Sequence, residues 1–395
     1  MYSELAFIIG FSLVFRTNIA HNRNIEARSK LQEVSAQWAS CFSTMVAFEA
    51  TDISLKREKQ ILNRRHLDTG PNTTARNANP NGDGYPHLLE NNRSREQQQQ
   101  QEQGVTDDKP PIMATWLDED MERFSLFCDE LMHRFSLLQA LCFMHLRMDD
   151  DLSNLVLHSR MDIGPSGKHL DIHGLPLEWQ DYFVLRTNPE WHKKNATIAK
   201  IPVLPAQSGR TLSMEEGTML SAMAERLFAR GLSIEAAPER VYAVHSWVQV
   251  IVARKCDPDV GWQCAPPPTS AGVWRSLEAG LAAFEQCRKI AETPFNFPWA
   301  QLMVVILSIY TLTLPLVMVG WLKAAWLAIV LDFVSVLSYW SMNEVARGLE
   351  SPFIFPPNDL PLVTLQYRFN QRLLATVNGI LKEGGSSAFV CGYEY

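Results

Sequence analysis

Histidines and carboxylates are the residues of this sequence best able to do chemistry, and one pair of them has a spacing that metal sites use. Glu130 and His133 are three residues apart, which places both side chains on one helix face, as in carboxylate-bridged di-iron bundles. Such a site needs a second E-x-x-H copy and further carboxylates, and the sequence contains no second copy. Phosphate-binding glycine motifs and a G-x-S-x-G nucleophile motif are also missing. The sequence therefore predicts a protein that is not an enzyme and that holds no metal or other cofactor.

A second group of carboxylates, Asp149–Asp151, follows a long stretch with apolar residues at helical spacing. Carboxylates at the C-terminal end of a helix oppose the helix dipole, so they need cations or solvent around them. A cation-responsive patch and a solvated loop both fit this pattern, and the loop is the more common outcome.

Two long apolar segments lie near the C-terminal end. Residues 300–320 carry no charge, and residues 324–343 carry only Asp332. Each has about 20 residues, the length that crosses a hydrocarbon core as a helix, and the short connection makes them antiparallel neighbours. We interpret them as a transmembrane hairpin, with a buried hairpin of a soluble domain as the alternative. Pro315 predicts a kink in the first span, and Asp332 is expected at a helix contact, hydrogen-bonded to Ser335 or to Tyr310 and Thr313.

Charged residues orient this hairpin. Arg288 and Lys289 precede it and Arg347 follows it, whereas the connecting turn has only Lys323, so both outer ends are expected in the cytosol. The formal net charge of -7 and the lack of a basic cluster with interleaved aromatic residues argue against nucleic acid as a partner. The sequence predicts a multi-pass integral membrane protein in contact with lipid.

An aromatic stripe stands near the start of the chain. Phe7, Phe11 and Phe15 recur every four residues, so they lie on one face of a helix. Arg16 and further basic residues follow, which again places that end of the helix at the cytosolic side. From the spacing alone, a packing surface is the commoner explanation for such a stripe.

Composition divides the chain into five regions. Residues 1–50 form a helix that leaves the membrane and continues in the cytosol, and residues 51–114 are a polar, Gln-rich insertion that cannot bury enough apolar surface to order itself. Residues 115–293 are cytosolic helices, expected at about 117–148, 213–231, 239–255 and 273–293. Residues 294–349 hold the hairpin, and residues 350–395 form a C-terminal belt and tail. The fold class is all-α: a helical membrane bundle with a cytosolic helical extension.

Several short motifs, in this order, resemble the C-terminal half of the bestrophin family of anion channels. They are Thr293-Pro294, Phe297-Pro298, Leu312-Thr313-Leu314-Pro315, Glu344, Glu350, Ser351-Pro352-Phe353 and Asn358-Asp359-Leu360-Pro361-Leu362. The pattern F-R-x-N-x-A that begins at Phe15 resembles the second helix of the same family. The resemblance implies a homopentamer whose hydrophobic neck is formed by Phe7, Phe11 and Phe15, with Arg16 and Asn18 at the inner pore mouth.

The implied function is passive conduction of anions, with chloride as the expected ion and bicarbonate as a second candidate. A ring of phenyl groups can close a pore by dewetting, and phenyl edges carry the positive side of the ring quadrupole. The resemblance also implies that Pro294, Phe297 and Pro298 set the start of the hairpin and that residues 352–362 wrap the neighbouring subunit. A non-conducting membrane scaffold or assembly subunit is the alternative.

The sequence also departs from the family pattern. Animal relatives bind calcium with an acidic cluster after the Pro-Phe pair, but residues 354–359 contain only one carboxylate, Asp359. We therefore expect the calcium site to be largely absent. The family's first membrane helix has no counterpart before Phe7, which suggests an incomplete start or a shortened paralogue. A plasma membrane and a chloroplast membrane both remain compatible with the sequence.

Overall fold

The computed structural model describes residues 2–68, 116–149, 151–158, 201–229, 238–257, 261–293, 297–353 and 360–383. The helices in these residues are α1 (Tyr2–Asp68), α2 (Asp118–Leu146), α3 (Met214–Ala229), α4 (Pro238–Lys255), α5 (Pro267–Glu292), α6 (Phe297–Trp321), α7 (Ala325–Glu350) and α8 (Leu362–Glu383). The helical fold class is confirmed, with one small addition. Strands β1 (Leu155–Leu157) and β2 (Ile201–Val203) pair in parallel, with Leu155 opposite Ile201.

Helix α1 is the element on which the others assemble. Its 67 residues extend about 100 Å at 1.5 Å per residue, and it packs against α5, α7, α8, α2 and α6. The helix continues to Asp68, so the polar insertion expected from residue 51 begins later than predicted. The reason is tertiary, because Asp52, Ile53 and Ser54 are buried; Gln263 N donates a hydrogen bond to Asp52, and Trp116 Nε1 donates one to Ser54. Residues 69–115 lie outside the described residues.

Helix α1 packs tightly against α5. Trp38 is fully buried, and its Nε1 donates a hydrogen bond to the Leu277 carbonyl at 3.3 Å. Gly280 lies under the same indole ring, where a Cβ atom would come within 2.9 Å of Trp38 Cε2 and nearer still to two other ring atoms. A residue without a side chain is therefore needed at position 280 for the two helices to pack this closely.

The helices between α1 and the hairpin begin close to where the sequence predicts. The Ser213–Glu216 capping box of α3 is confirmed, with Ser213 N donating to Glu216 Oε2 at 2.9 Å and Glu216 N donating to Ser213 Oγ at 3.2 Å. Helix α4 begins at Pro238 as expected. Helix α5 begins at Pro267, earlier than the expected 273, because a proline without an N–H group suits the first turn of a helix.

The hairpin consists of α6 and α7, which contact each other and α1. By length and composition, residues 298–321 and 325–350 are helices able to cross a membrane. Pro315 lies inside α6, and the helix continues past it to Trp321. Large apolar side chains such as Leu312 and Leu316 point outward and are exposed, as expected for a surface that faces lipid.

Candidate functional site

The three phenylalanines of the N-terminal stripe form an exposed row on α1. Phe7 is 72% exposed, Phe11 is 65% exposed and Phe15 is 49% exposed. The rings of Phe7 and Phe11 stack with their centroids 6.4 Å apart and an interplanar angle of 20°. Phe15 also meets the edge of Trp299 on α6, at a centroid distance of 6.2 Å. Spacing by four residues thus brings the three rings together on one face, as expected.

The packing surface of this part of α1 lies on another face. Ile9 and Leu13 are buried, and they form a small apolar cluster with α6 residues Met303, Leu307, Tyr310 and Leu314. The Tyr339 hydroxyl of α7 donates a weak hydrogen bond to the Ala6 carbonyl at 3.4 Å. Because Ile9 and Leu13 supply the buried contacts with the hairpin, the aromatic row is left largely exposed on the subunit surface, with Phe15 in edge contact with Trp299.

Asn18 continues the exposed row, but Arg16 does not. The Arg16 side chain is 3% exposed and turns toward the C-terminal end of α7. Its Nε donates to Glu350 Oε1 at 2.7 Å, and an Nη atom donates to Asn343 Oδ1 at 2.6 Å. The sequence placed Arg16 and Asn18 together, whereas the structure separates them. Asn343 was missed as a partner, although an amide near the cytosolic end of a membrane span is a signal that could have identified it.

Beyond Asn18, the exposed row of α1 continues without charge. The exposed positions that recur every three or four residues are Asn22, Ile25, Ser29, Gln32, Ala36, Ser40 and Ser43. Several charged residues of this helix are instead used in ion pairs beside the row, such as Lys30 with Glu33 at 2.7 Å and Glu49 with Lys255 at 2.6 Å. The row itself therefore offers hydroxyl and amide groups, and the exposed charged residues Glu26 and Arg28 lie beside it.

Arg23 is a second arginine that α1 uses to bind a helix end. It donates to the carbonyl groups of Ile290 and Thr293, at the C-terminal end of α5. These carbonyls are among the last of the helix, where no intrahelical donor is available. Arg16 and Arg23 are seven residues apart, or two helical turns, so they project from the same side of α1.

The motif residues around the hairpin have different environments. Glu344 is exposed and pairs with Arg347 at 2.7 Å, whereas Glu350 is mostly buried with Arg16. Pro352 and Phe353 are buried, and the Pro352 carbonyl accepts a hydrogen bond from Leu360 N at 3.1 Å. Pro298 lies in the first turn of α6, directly after Phe297. Pro294, Asn358 and Asp359 lie outside the described residues.

The E-x-x-H pair is built into a polar contact between helices. His133 Nε2 lies 3.2 Å from Glu216 Oε2, and Glu130 lies 3.9 Å from Arg134. Arg134 also pairs with Glu216. Burial acts to raise the pKa of Glu216, but the hydrogen bond and charge of His133, the Ser213 N–H and Arg134 outweigh it and lower the pKa to about 2. Glu216 is thus held by His133 and Arg134 as part of a contact between helices.

Asp149 and Asp151 of the second carboxylate group are bound by neighbouring groups of the protein. Asp149 is buried, pairs with Arg147 and accepts two hydrogen bonds from Asn154 Nδ2 at 3.0 Å. Asp151 accepts a hydrogen bond from Ser153 N at 2.9 Å and caps the 3₁₀ turn Leu152–Asn154. This arrangement favours a structured loop over a cation-responsive patch.

The contacts expected for Asp332 differ in the structure. Its Oδ1 atom is buried and has no hydrogen-bond partner among the described residues. The Thr313 hydroxyl, an expected partner, donates instead to the Ile309 and Tyr310 carbonyls at 2.9 and 3.2 Å. Hydroxyl groups inside helices readily bond to the carbonyl one turn earlier, and this local bond replaces the predicted long-range one.

Comparisons with known proteins find similarity to one family over part of the chain and to solved structures over most of it. A family model described as Bacterial/Fungal Bestrophin protein matches residues 217–375. A variant of a bacterial bestrophin homolog from Klebsiella pneumoniae is 13% identical with a TM-score of 0.50, over 95% of this chain and 86% of that one. A second variant of the Klebsiella pneumoniae protein is 12% identical with a TM-score of 0.50, and the match covers 95% of this chain and 87% of that one. A structure described only as a membrane protein is 13% identical with a TM-score of 0.51, over 95% and 86%. No curated protein matches the chain by sequence.

Proposed function

We propose, from the match of residues 217–375 to a bestrophin family model and the similar fold of a bacterial bestrophin homolog, that this chain is one subunit of a homopentameric anion channel. The proposed constriction is the row Phe7, Phe11 and Phe15, and the proposed permeant ion is chloride, with bicarbonate as a second candidate. The observation that carries the proposal is the exposure of this row while another face of α1 is packed against the hairpin.

A symmetric assembly can place the row of Phe7, Phe11 and Phe15 around a central axis. In a closed ring of identical subunits, the same residue of each subunit lies at the same distance from the axis. A row of large aromatic side chains facing that axis makes a narrow apolar tube, which water leaves easily and which closes without a plug. Contiguous exposed apolar surface on a single subunit is typical of a site that an assembly or a membrane covers.

The polar residues that follow the aromatic row support the same pathway. Asn18 has amide N–H groups, which can replace part of the water that an anion loses on entering the neck. The hydroxyl and amide groups of the exposed row on the cytosolic part of α1 carry no fixed charge, so they would not hold an ion tightly. Conduction requires binding that is weak enough for the ion to leave, and a neutral polar lining provides it.

The test is reconstitution of the full chain into liposomes, with single-channel recording and chloride flux. The variant changes Phe7, Phe11 and Phe15 to Ala. The matched control changes Leu312 and Leu316, two exposed apolar residues of the hairpin, to Ala. We expect larger anion currents or lost gating in the phenylalanine variant, because its neck stays hydrated, and native currents in the control.

Three outcomes would contradict the proposal. If pentamers form but neither protein passes current, the chain is a non-conducting scaffold or assembly subunit. If reversal potentials in a potassium chloride gradient follow potassium, the channel exists but the anion selectivity is wrong. Equal effects of the phenylalanine and leucine substitutions would show that the row faces lipid and not the pore.

A further inference from the structure

We infer that Arg16 and Arg23 are positioning residues that fix both cytosolic ends of the transmembrane hairpin to α1 and thereby set the position of Phe15 in the neck. We call these two residues and their partners the arginine brace. The inference rests on the proposed function, because it assigns a role in the gate of that channel. The sequence predicted Arg16 at the inner pore mouth. The inference instead places Arg16 on the side of α1 that packs against α7.

The two contacts lie at the two ends of the hairpin. Arg23 binds carbonyls of Ile290 and Thr293, just before α6 begins at Phe297. Arg16 binds Glu350, the last residue of α7. The partners of Arg16 are 327 and 334 residues away in sequence, so these bonds link the start of the chain to the far end of the hairpin.

Helix electrostatics explains why arginines stand at these places. The C-terminal end of a helix carries partial negative charge and unpaired carbonyl groups, so a cation stabilises it. Glu350 by itself is unfavourable there, because a carboxylate adds negative charge to the negative end of α7. The guanidinium of Arg16 offsets both charges, and its fork geometry lets it bind Glu350 and Asn343 together.

The brace is directly connected to the innermost ring of the neck. Phe15 precedes Arg16 in α1, and its ring also contacts Trp299 at the start of α6. A shift of the Arg16 contact therefore moves the backbone that carries Phe15. On the other side, Glu350 leads into Pro352 and Phe353, which are buried against the cytosolic core. Movement of residues 350–353 would therefore shift Phe15 through the Arg16–Glu350 ion pair.

The test compares variants of the Arg16–Glu350 pair by single-channel recording. Arg16→Lys keeps the charge but loses the fork, and Glu350→Gln removes the charge of the partner. Arg16→Lys lacks the planar fork that binds Glu350 and Asn343 together, and Glu350→Gln removes the ionic part of the pair, so we expect the ratio of open to closed time to change by about tenfold or more in each. Unit conductance should stay the same, because neither residue faces the permeating ion.

Three further comparisons separate positioning from general structure. Exchange of the charges, with Arg16→Glu and Glu350→Arg in one chain, should recover much of the native ratio, because it restores the pair and puts the cation at the helix end. Arg347→Gln breaks the exposed pair with Glu344 one turn away, and it should have little effect. In a Phe15→Ala background, Arg16→Lys should no longer change the ratio.

The inference is overturned if Arg16→Lys leaves the open-to-closed ratio unchanged, or if its effect persists in the Phe15→Ala background. Hydrogen exchange gives a readout that does not need a current. Arg16→Lys should speed exchange in residues 13–18 and in residues 343–353. If the native chain passes no anion current, the proposed function fails, and the exchange data alone decide the brace: faster exchange in both segments supports it, and unchanged exchange overturns it.

Discussion

Gly280 offers the sharpest test of how α1 is packed, because a single added carbon meets a buried ring. In the native structure, a Cβ atom at this position would lie 2.9 Å from Trp38 Cε2 and closer still to Nε1 and Cδ1. Real Cβ contacts do not occur at these distances, so Gly280→Ala must displace either the indole ring or the α5 backbone. Trp38 is fully buried, so its ring cannot be displaced into solvent without opening the core.

The expected magnitude combines three effects. Overpacking of a well-packed core costs about 1 to 3 kcal/mol. Displacement of the ring also strains the bond from Trp38 Nε1 to the Leu277 carbonyl, which contributes about 1 kcal/mol. Alanine is the better helix former by about 1 kcal/mol, which offsets part of the loss. We therefore expect Gly280→Ala to destabilise the subunit by about 1 to 3 kcal/mol.

The same helix supplies a matched control. Gly272 also lies inside α5, but an added Cβ atom would have no atom within 4 Å. Only the helix propensity then changes, so Gly272→Ala should stabilise the subunit by up to about 1 kcal/mol. The two substitutions are chemically identical and should have opposite signs. Thermal unfolding of the detergent-solubilised protein, followed by the loss of the assembled peak in size-exclusion chromatography, measures both.

Equal shifts of the unfolding temperature for the two alanine variants would refute this reasoning, since the contact with Trp38 would then have no energetic weight. A double variant with Trp38→Phe distinguishes the cause. The smaller ring removes part of the overlap, so Gly280→Ala should cost less in that background.

Two further predictions concern pH and calcium. Burial lowers the pKa of His158 to about 4, from an ordinary value near 6.5, so the unfolded chain binds a proton at higher pH than the folded one. Stability should therefore fall by roughly 3 kcal/mol as the pH drops from 6.5 through 4, and His158→Phe, which keeps the stacking on Tyr367, should flatten that part of the profile. Removal of calcium with a chelator should leave the anion currents unchanged, because residues 354–359 supply one carboxylate where a calcium site needs six to eight oxygen ligands. Loss of the currents on chelation would mean that the ligands come from elsewhere in the chain.

Local patterns in the sequence were reliable where the determining interactions are local. The Ser213–Glu216 capping box and the start of α4 at Pro238 were found, because both depend on residues within one helical turn. The hairpin was found because its length and lack of charge follow from the solvent it must enter. The common face of Phe7, Phe11 and Phe15 follows from the helical period alone.

Predictions that depended on distant partners were the ones that changed. The continuation of α1 past residue 51 depends on burial of Asp52, Ile53 and Ser54. The bond expected for Asp332 was replaced by a local bond of Thr313. A short parallel sheet appeared within residues 151–212, where the sequence had no period. Strands of three residues carry too little alternation to be recognised in advance.

The sequence by itself determined that the chain is a helical membrane protein with an aromatic stripe at its start and a hairpin near its end, because hydropathy and period are properties of consecutive residues. Only the tertiary structure decided which side of α1 each residue faces. It left the phenylalanine row exposed and turned Arg16 toward Glu350, which lies 334 positions away. A helix presents every residue at a fixed angle, but the neighbour that covers each angle is set by the packing of the whole chain.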